Sequence, residues 1–160
     1  MSPTRLVESV EPTVNSPQFS ENNKKILFVC EDNSGPSLMA QAFAEKYGLS
    51  AFSAGRHGTS ALNPYVVKAM KEIGIDISDR KPRLLSPQII SEATDVITLG
   101  CTFMDACPQP MVAKMREKTV DWHWKGLKCK RLVEAVETRD EIERRVIEIA
   151  ERNVILVKAV

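Results

Sequence analysis

The rhythm of apolar and polar positions changes at residue 24. Before it, Pro3, Pro12 and Pro17 stand among Ser, Thr, Asn and Glu without apolar periodicity, so residues 1–23 read as a disordered tail. From Lys24 onward, short apolar runs alternate with amphipathic stretches. Ile26–Val29 has the continuous apolar character of a buried strand, and a first helix is expected over about 37–47. Ser50–Ala54 predicts a second strand, ended by Gly55. Asn63-Pro64 has the form of an N-cap followed by proline at the first helical position; Val67, Met70 and Ile73 line the apolar face of that helix and Gly74 stops it. Ser86-Pro87 opens another short helix by the same logic. Asp95–Leu99 reads as a third strand and Thr119–Trp122 as a weaker fourth. A long charged helix follows from about Arg131 to Arg152, with Leu132, Val136, Ile142, Val146 and Ile149 along one side. The apolar Val154–Val157 is compatible with a last strand, a continuation of that helix or a contact with another chain.

Strands separated by helices imply βαβ units. The expected fold is α/β and three-layered, a central four-stranded parallel sheet flanked by helices over residues 24–153. Residues 154–160 form an apolar C-terminal extension. Ligands of such sheets sit beyond the carboxyl ends of the strands.

Composition narrows the class. A chain of 160 residues with 43% hydrophobic and 27% charged residues suits one globular domain. The net charge of +1 offers no electrostatic footprint for nucleic acid or a membrane surface. No apolar run approaches the roughly 20 residues that span a bilayer. The N-terminus carries no signal-like apolar stretch, so the four cysteines are expected to be cytoplasmic thiols with a redox or catalytic use.

The chemistry concentrates in Lys25-Ile-Leu-Phe-Val-Cys30-Glu-Asp-Asn-Ser-Gly-Pro36-Ser37. Cys30 ends a strand and precedes a helix, so its thiol faces the N–H groups and positive dipole end of a helix terminus. That setting lowers a thiol pKa and binds oxyanions. The N–H groups after Cys30, including those of Asn33, Ser34, Gly35 and Ser37, can form an anion nest. Asn33 can brace the loop, and Ser37 can donate to the Cys30 sulfur. A buried structural cysteine is the plainer alternative. Cys101, just after the third strand, falls at the same sheet edge, and Cys107 follows it. Their spacing lacks the short Cys-x-x-Cys form, so a metal site ranks below thiol exchange, and no metal or cofactor is expected.

The sequence resembles the low-molecular-weight protein tyrosine phosphatase superfamily and, within it, the thioredoxin-coupled arsenate reductases. The family loop reads Cys, five residues, Arg, Ser; here Cys30, Asn33, Ser34 and Ser37 match it. The resemblance continues through Phe52-Ser-Ala-Gly55, Asn63-Pro64, Gly74-Ile-Asp76-Ile-Ser78, Val96-Ile-Thr-Leu-Gly-Cys101, Ala106-Cys107-Pro108, Asp121-Trp122 and Thr138-Arg-Asp-Glu-Ile142, covering Lys25 to Arg152. It implies a phosphatase-like fold and oxyanion reduction, of arsenate with phosphate as its analogue. Cys30 would be the nucleophile, Cys101 the thiol that attacks the adduct and Cys107 the resolving thiol. A thioredoxin-type reductant would then open the resulting disulfide. Cys129 has no counterpart in this scheme.

Three departures qualify the implied activity. Pro36 stands where the family has the arginine that forks around oxyanion oxygens, and it lacks even an N–H. Gly126-Leu127 replaces the Asp-Pro whose Asp is the general acid. Glu31-Asp32 puts two carboxylates beside the cradle, which repel an oxyanion and oppose thiolate formation. Arg56, which follows Ser53-Ala-Gly55, is the candidate replacement cation; His57, Arg80, Lys81 and Arg83 read as solvated loop charges. His123 or Asp121 could substitute for the lost acid. Trp122 and Trp124 read as packing residues. Besides an arsenate reductase-like enzyme, a catalytically silent binding or thiol-sensing module on the same fold stays open. A tyrosine phosphatase is weakest, because ester cleavage needs both missing groups.

Overall fold

The computed structural model describes residues 24–31, 33–57, 61–99, 118–122 and 129–159. The elements are β1 (Ile26–Cys30), α1 (Pro36–Lys46), β2 (Ala51–Gly55), α2 (Pro64–Glu72), α3 (Pro87–Glu92), β3 (Asp95–Thr98), β4 (Thr119–Asp121) and α4 (Leu132–Ala159). All strand pairs are parallel, in the order β2-β1-β3-β4. The expected α/β sheet is therefore present, with β1 at its centre.

β1 is buried along its whole length, and its alternation divides the core. Ile26, Phe28 and Cys30 join a cluster with Leu38, Phe43, Met70, Ala135, Ile142 and Val146, which places α1, α2 and α4 on one face of the sheet. Leu27 and Val29 join Phe52, Ala54, Ile90, Ala93 and Val96, with α3 on the other face. Cys30 thus lies on the face that carries three helices.

Local signals set the helix starts. Asn63 Oδ1 accepts from the N–H groups of Tyr65 and Val66 at 2.9 and 3.4 Å, and Ser86 Oγ accepts from Ile89 N–H at 3.2 Å. Gly74 takes a left-handed φ of 84° after α2, as a helix stop needs. Arg139 is buried and donates to the Ala69 carbonyl at 2.8 Å, clamping α4 to α2.

Two boundaries differ from expectation. α1 begins at Pro36, whose fixed φ suits the first helical turn. α4 does not end near Arg152 but carries its helical backbone through to Ala159, so Val154–Val157 continues the helix and is not a strand. Extending an existing helix needs no new nucleus, whereas a strand there would. Residues 1–23, expected to be disordered, lie outside the described residues. Among the described residues, no helix is long and apolar enough to cross a membrane.

Candidate active site

The strand register brings the candidate residues to one edge. Cys30 pairs with Gly55 across β1 and β2, so Arg56 follows directly beside the Cys30 loop. Its backbone N–H donates to the Cys30 carbonyl at 3.0 Å, and that of His57 to the Glu31 carbonyl at 2.7 Å. On the other side of β1, Leu99 N–H donates to the Val29 carbonyl at 2.7 Å, and Trp122 N–H to the Thr98 carbonyl at 3.1 Å. The carboxyl ends of β2 and β3 therefore flank Cys30, and that of β4 lies beyond β3 on the same edge.

A buried hydrogen-bond chain fixes the sulfur. Cys30 Sγ and Ser37 Oγ lie 2.8 Å apart. Asn33 Nδ2 donates to the same hydroxyl at 2.7 Å, and Asn33 Oδ1 accepts from the backbone N–H of Arg83 at 2.7 Å. A backbone N–H can only donate, so the Asn33 oxygen must face Arg83 and its amide must face Ser37. Asn33 occupies only one acceptor position of Ser37, whose own hydrogen is free to point at Cys30 Sγ; once that sulfur is ionised it can only accept, and the Ser37 hydroxyl then stabilises the thiolate. Cys30, Asn33 and Ser37 are at most 3% exposed, so water does not compete for these bonds. Asn33 takes a left-handed φ of 58°, which asparagine tolerates better than most residues.

The rest of the loop rests on α2. The Ser34 carbonyl accepts from Asn63 N–H at 2.9 Å. A Cβ at Gly35 would stand 3.1 Å from Val66 Cγ2, so this close approach is suited to glycine. Pro36 and Ser37 open α1 and are buried.

The charges next to the loop are mutually engaged. Glu31 places one carboxylate oxygen 3.3 Å from Arg56 Nη1 and the other 3.8 Å from His57 Nε2. The repulsion expected from Glu31 is thus offset by Arg56, and part of the Arg56 charge is consumed in the process. Arg56 Nε is buried and lacks a hydrogen-bond partner among the described residues. Arg80 pairs with Glu45 at 2.7 Å, and Arg83 contributes through its backbone alone to the Asn33 bond. Trp122 packs as expected, its ring centroid 6.0 Å from that of Phe28, and the Arg145 guanidinium lies over the Trp122 ring, 5.4 Å from its centroid. Asp32, Cys101, Cys107, His123, Trp124, Gly126 and Leu127 lie outside the described residues.

Residues 25–153 match the family model described as low molecular weight phosphotyrosine protein phosphatase. The chain belongs to that family. Within it, this phosphatase-fold chain is arsenate reductase-like. The arsenate reductase of Brevibacillus brevis is 39% identical over 137 residues, covering 82% of this chain and 97% of that protein. A solved arsenate reductase in the phosphate binding state is 27% identical, with a TM-score of 0.68 over 81% of this chain and 98% of that one. A solved thioredoxin-dependent arsenate reductase of Corynebacterium glutamicum is 25% identical, with a TM-score of 0.67 over 88% of this chain and 71% of that one.

Two residues make contacts at the site that a reading of motifs does not give. Asn63 serves as helix cap, donor to Ser34 and, through Nδ2, donor to the Cys129 carbonyl at 3.1 Å. Cys129 is 2% exposed and sits in the core cluster that contains Cys30. Its position after the fourth strand and before a helix was the available signal, because that junction also belongs to the carboxyl edge of the sheet.

Proposed function

We propose that this chain reduces arsenate by thiol chemistry that begins at Cys30. The observation that carries this reading is the chain from Arg83 N–H through the buried Asn33 and Ser37 to the Cys30 sulfur, which conditions a nucleophile as well as bracing the loop. The Cys30 thiolate attacks arsenic(V) and displaces hydroxide. Cys101 attacks the Cys30 sulfur, the S–As electron pair stays on arsenic, and arsenite leaves. Cys107 then displaces Cys30, leaving a Cys101–Cys107 disulfide for a thioredoxin-type dithiol to reduce. The parts of Cys101 and Cys107 rest on their matching motif positions. This chemistry fits a cytoplasmic setting, where thiols are kept reduced.

The N–H groups of Asn33, Ser34, Gly35 and Ser37 supply the anion nest. Arg56 supplies the cation that position 36 lacks: a buried guanidinium N–H without a partner is the kind of donor an oxyanion satisfies. Phosphate esters fare worse, because an alkoxide leaving group needs the missing general acid. Hydrolysis of p-nitrophenyl phosphate is expected to be negligible, and ready Cys30-dependent hydrolysis refutes that expectation.

The test is arsenate-dependent NADPH oxidation by the full chain with thioredoxin and its reductase. Turnover that disappears in Cys30→Ser and drops about tenfold or more in Arg56→Ala supports the proposal, the latter reflecting loss of a charged contact of about 1.5–3 kcal/mol. Wild-type protein that binds arsenate yet never oxidises NADPH overturns it in favour of a binding module.

A further inference from the structure

Cys129 has no part in the thiol sequence above, yet the fold buries it in the same core cluster as Cys30. The alternation of β1 turns Cys30 toward the face covered by α4, and Cys129 lies just before α4 in the same buried cluster. Asn63 ties the two segments together, its backbone N–H on the Ser34 carbonyl at 2.9 Å and its side-chain amide on the Cys129 carbonyl at 3.1 Å. Cys129 adopts a φ of 43°, a left-handed conformation that strains a residue with a Cβ and persists only where its surroundings hold it. Burial raises its thiol pKa most, a hydrogen bond with Thr138 opposes this, and the charges of Glu134 and Cys30 raise it further.

We propose that Cys129 is the partner of an oxidised Cys30, closing a Cys30–Cys129 disulfide that protects the nucleophile from irreversible oxidation. The proposal rests on the preceding reading only in taking Cys30 as the reactive thiolate. A peroxide transfers one oxygen to the Cys30 sulfur, giving a sulfenic acid and hydroxide. The Cys129 sulfur, on losing its proton, attacks the Cys30 sulfur; the S–O bond breaks and the oxygen leaves as hydroxide, which takes up a proton to become water. In total two thiols and one peroxide give one disulfide and two waters, with two electrons passing to the peroxide. Relaxing the strained backbone at Cys129 is the local movement that accompanies closure.

The test uses the full chain with Cys101→Ser and Cys107→Ser, which leaves Cys30 and Cys129 as its only cysteines. It is treated with one equivalent of hydrogen peroxide, denatured, alkylated and mapped by mass spectrometry without reduction. The expected product is a monomer lighter by two hydrogens, whose Cys30 and Cys129 peptides are linked. With a tenfold excess of peroxide, which carries an unprotected sulfenic acid on to irreversible sulfinic and sulfonic acids, adding Cys129→Ala should cut the fraction of Cys30 recoverable by dithiothreitol at least tenfold. Cys30 carrying two or three oxygens beside an alkylated Cys129, disulfides only between chains, or an unchanged recoverable fraction each overturns the proposal. Should the serine variants fold poorly, the same map of wild-type protein decides, because the Cys30–Cys129 pair must appear among its linked peptides. No arsenate is used, so a chain without arsenate turnover would sink the preceding reading and leave this result intact.

Discussion

The Cys30 loop has a sulfur side and an anion side, and they are built to different standards. On the sulfur side, Asn33, Ser37 and the Arg83 backbone make a continuous set of bonds of 2.7–2.8 Å, buried at Ser37 and Cys30. On the anion side, Pro36 removes both a guanidinium and an N–H, and the nearby Arg56 is partly engaged by Glu31 at 3.3 Å. The contrast teaches that conditioning a thiolate and gripping an oxyanion are separable tasks. The first depends on short buried bonds that also hold the fold together. The second depends on charge presented to a ligand, which can be lost while the loop keeps its shape.

The largest test restores the weaker side. Pro36→Arg is expected to raise arsenate turnover by roughly two decades, since a bidentate charged contact to an oxyanion contributes a few kcal/mol. An unchanged kcat/KM would mean that Arg56 already fills the role. Breaking the stronger side comes next. Asn33→Ala leaves the Arg83 N–H and the Ser37 hydroxyl short of partners and places alanine at a left-handed φ, so unfolding in urea should show a loss of about 2–4 kcal/mol. A loss under about 0.5 kcal/mol would show that the network does not brace the loop.

A smaller effect is expected where the two sides meet. Glu31→Gln releases Arg56 from a half-exposed ion pair, so phosphate binding measured by calorimetry should tighten only a few-fold, in keeping with the about 0.2–1 kcal/mol of such pairs. Weaker binding would show that Glu31 orients Arg56 and does not compete for it. The smallest change concerns pH. Burial holds the Cys129 thiol above its ordinary value, so in the native protein it should be alkylated slowly near neutrality and faster only at alkaline pH, after Cys30. A raised folded-state pKa also means that the stability this group lends is present below the unfolded thiol pKa and lost as pH rises through the folded value. Rapid labelling of Cys129 at neutral pH would contradict its burial.

Much of the framework was legible because its causes are local. Asn63-Pro64 and Ser86-Pro87 announce helix starts through side chains that reach N–H groups two or three residues away. Ile26–Cys30 announces a central strand because only a strand covered on both faces is apolar throughout. The end of α4 was not legible, since the apolar, mostly β-branched Val154–Val157 suits either state and the preceding helix decided it.

What the sequence determined by itself was the βαβ order, the strand–thiol–helix junction at Cys30 and the absence of an arginine at position 36, all of them matters of adjacent residues. Tertiary structure decided the rest. Arg83 reaches Asn33 from 50 residues away, Arg56 meets Glu31 across 25, and Asn63 joins the Cys30 loop to Cys129 across 66. A hydrogen bond or ion pair depends on distance in space, and only parallel pairing of the strands brings these segments to one edge of the sheet.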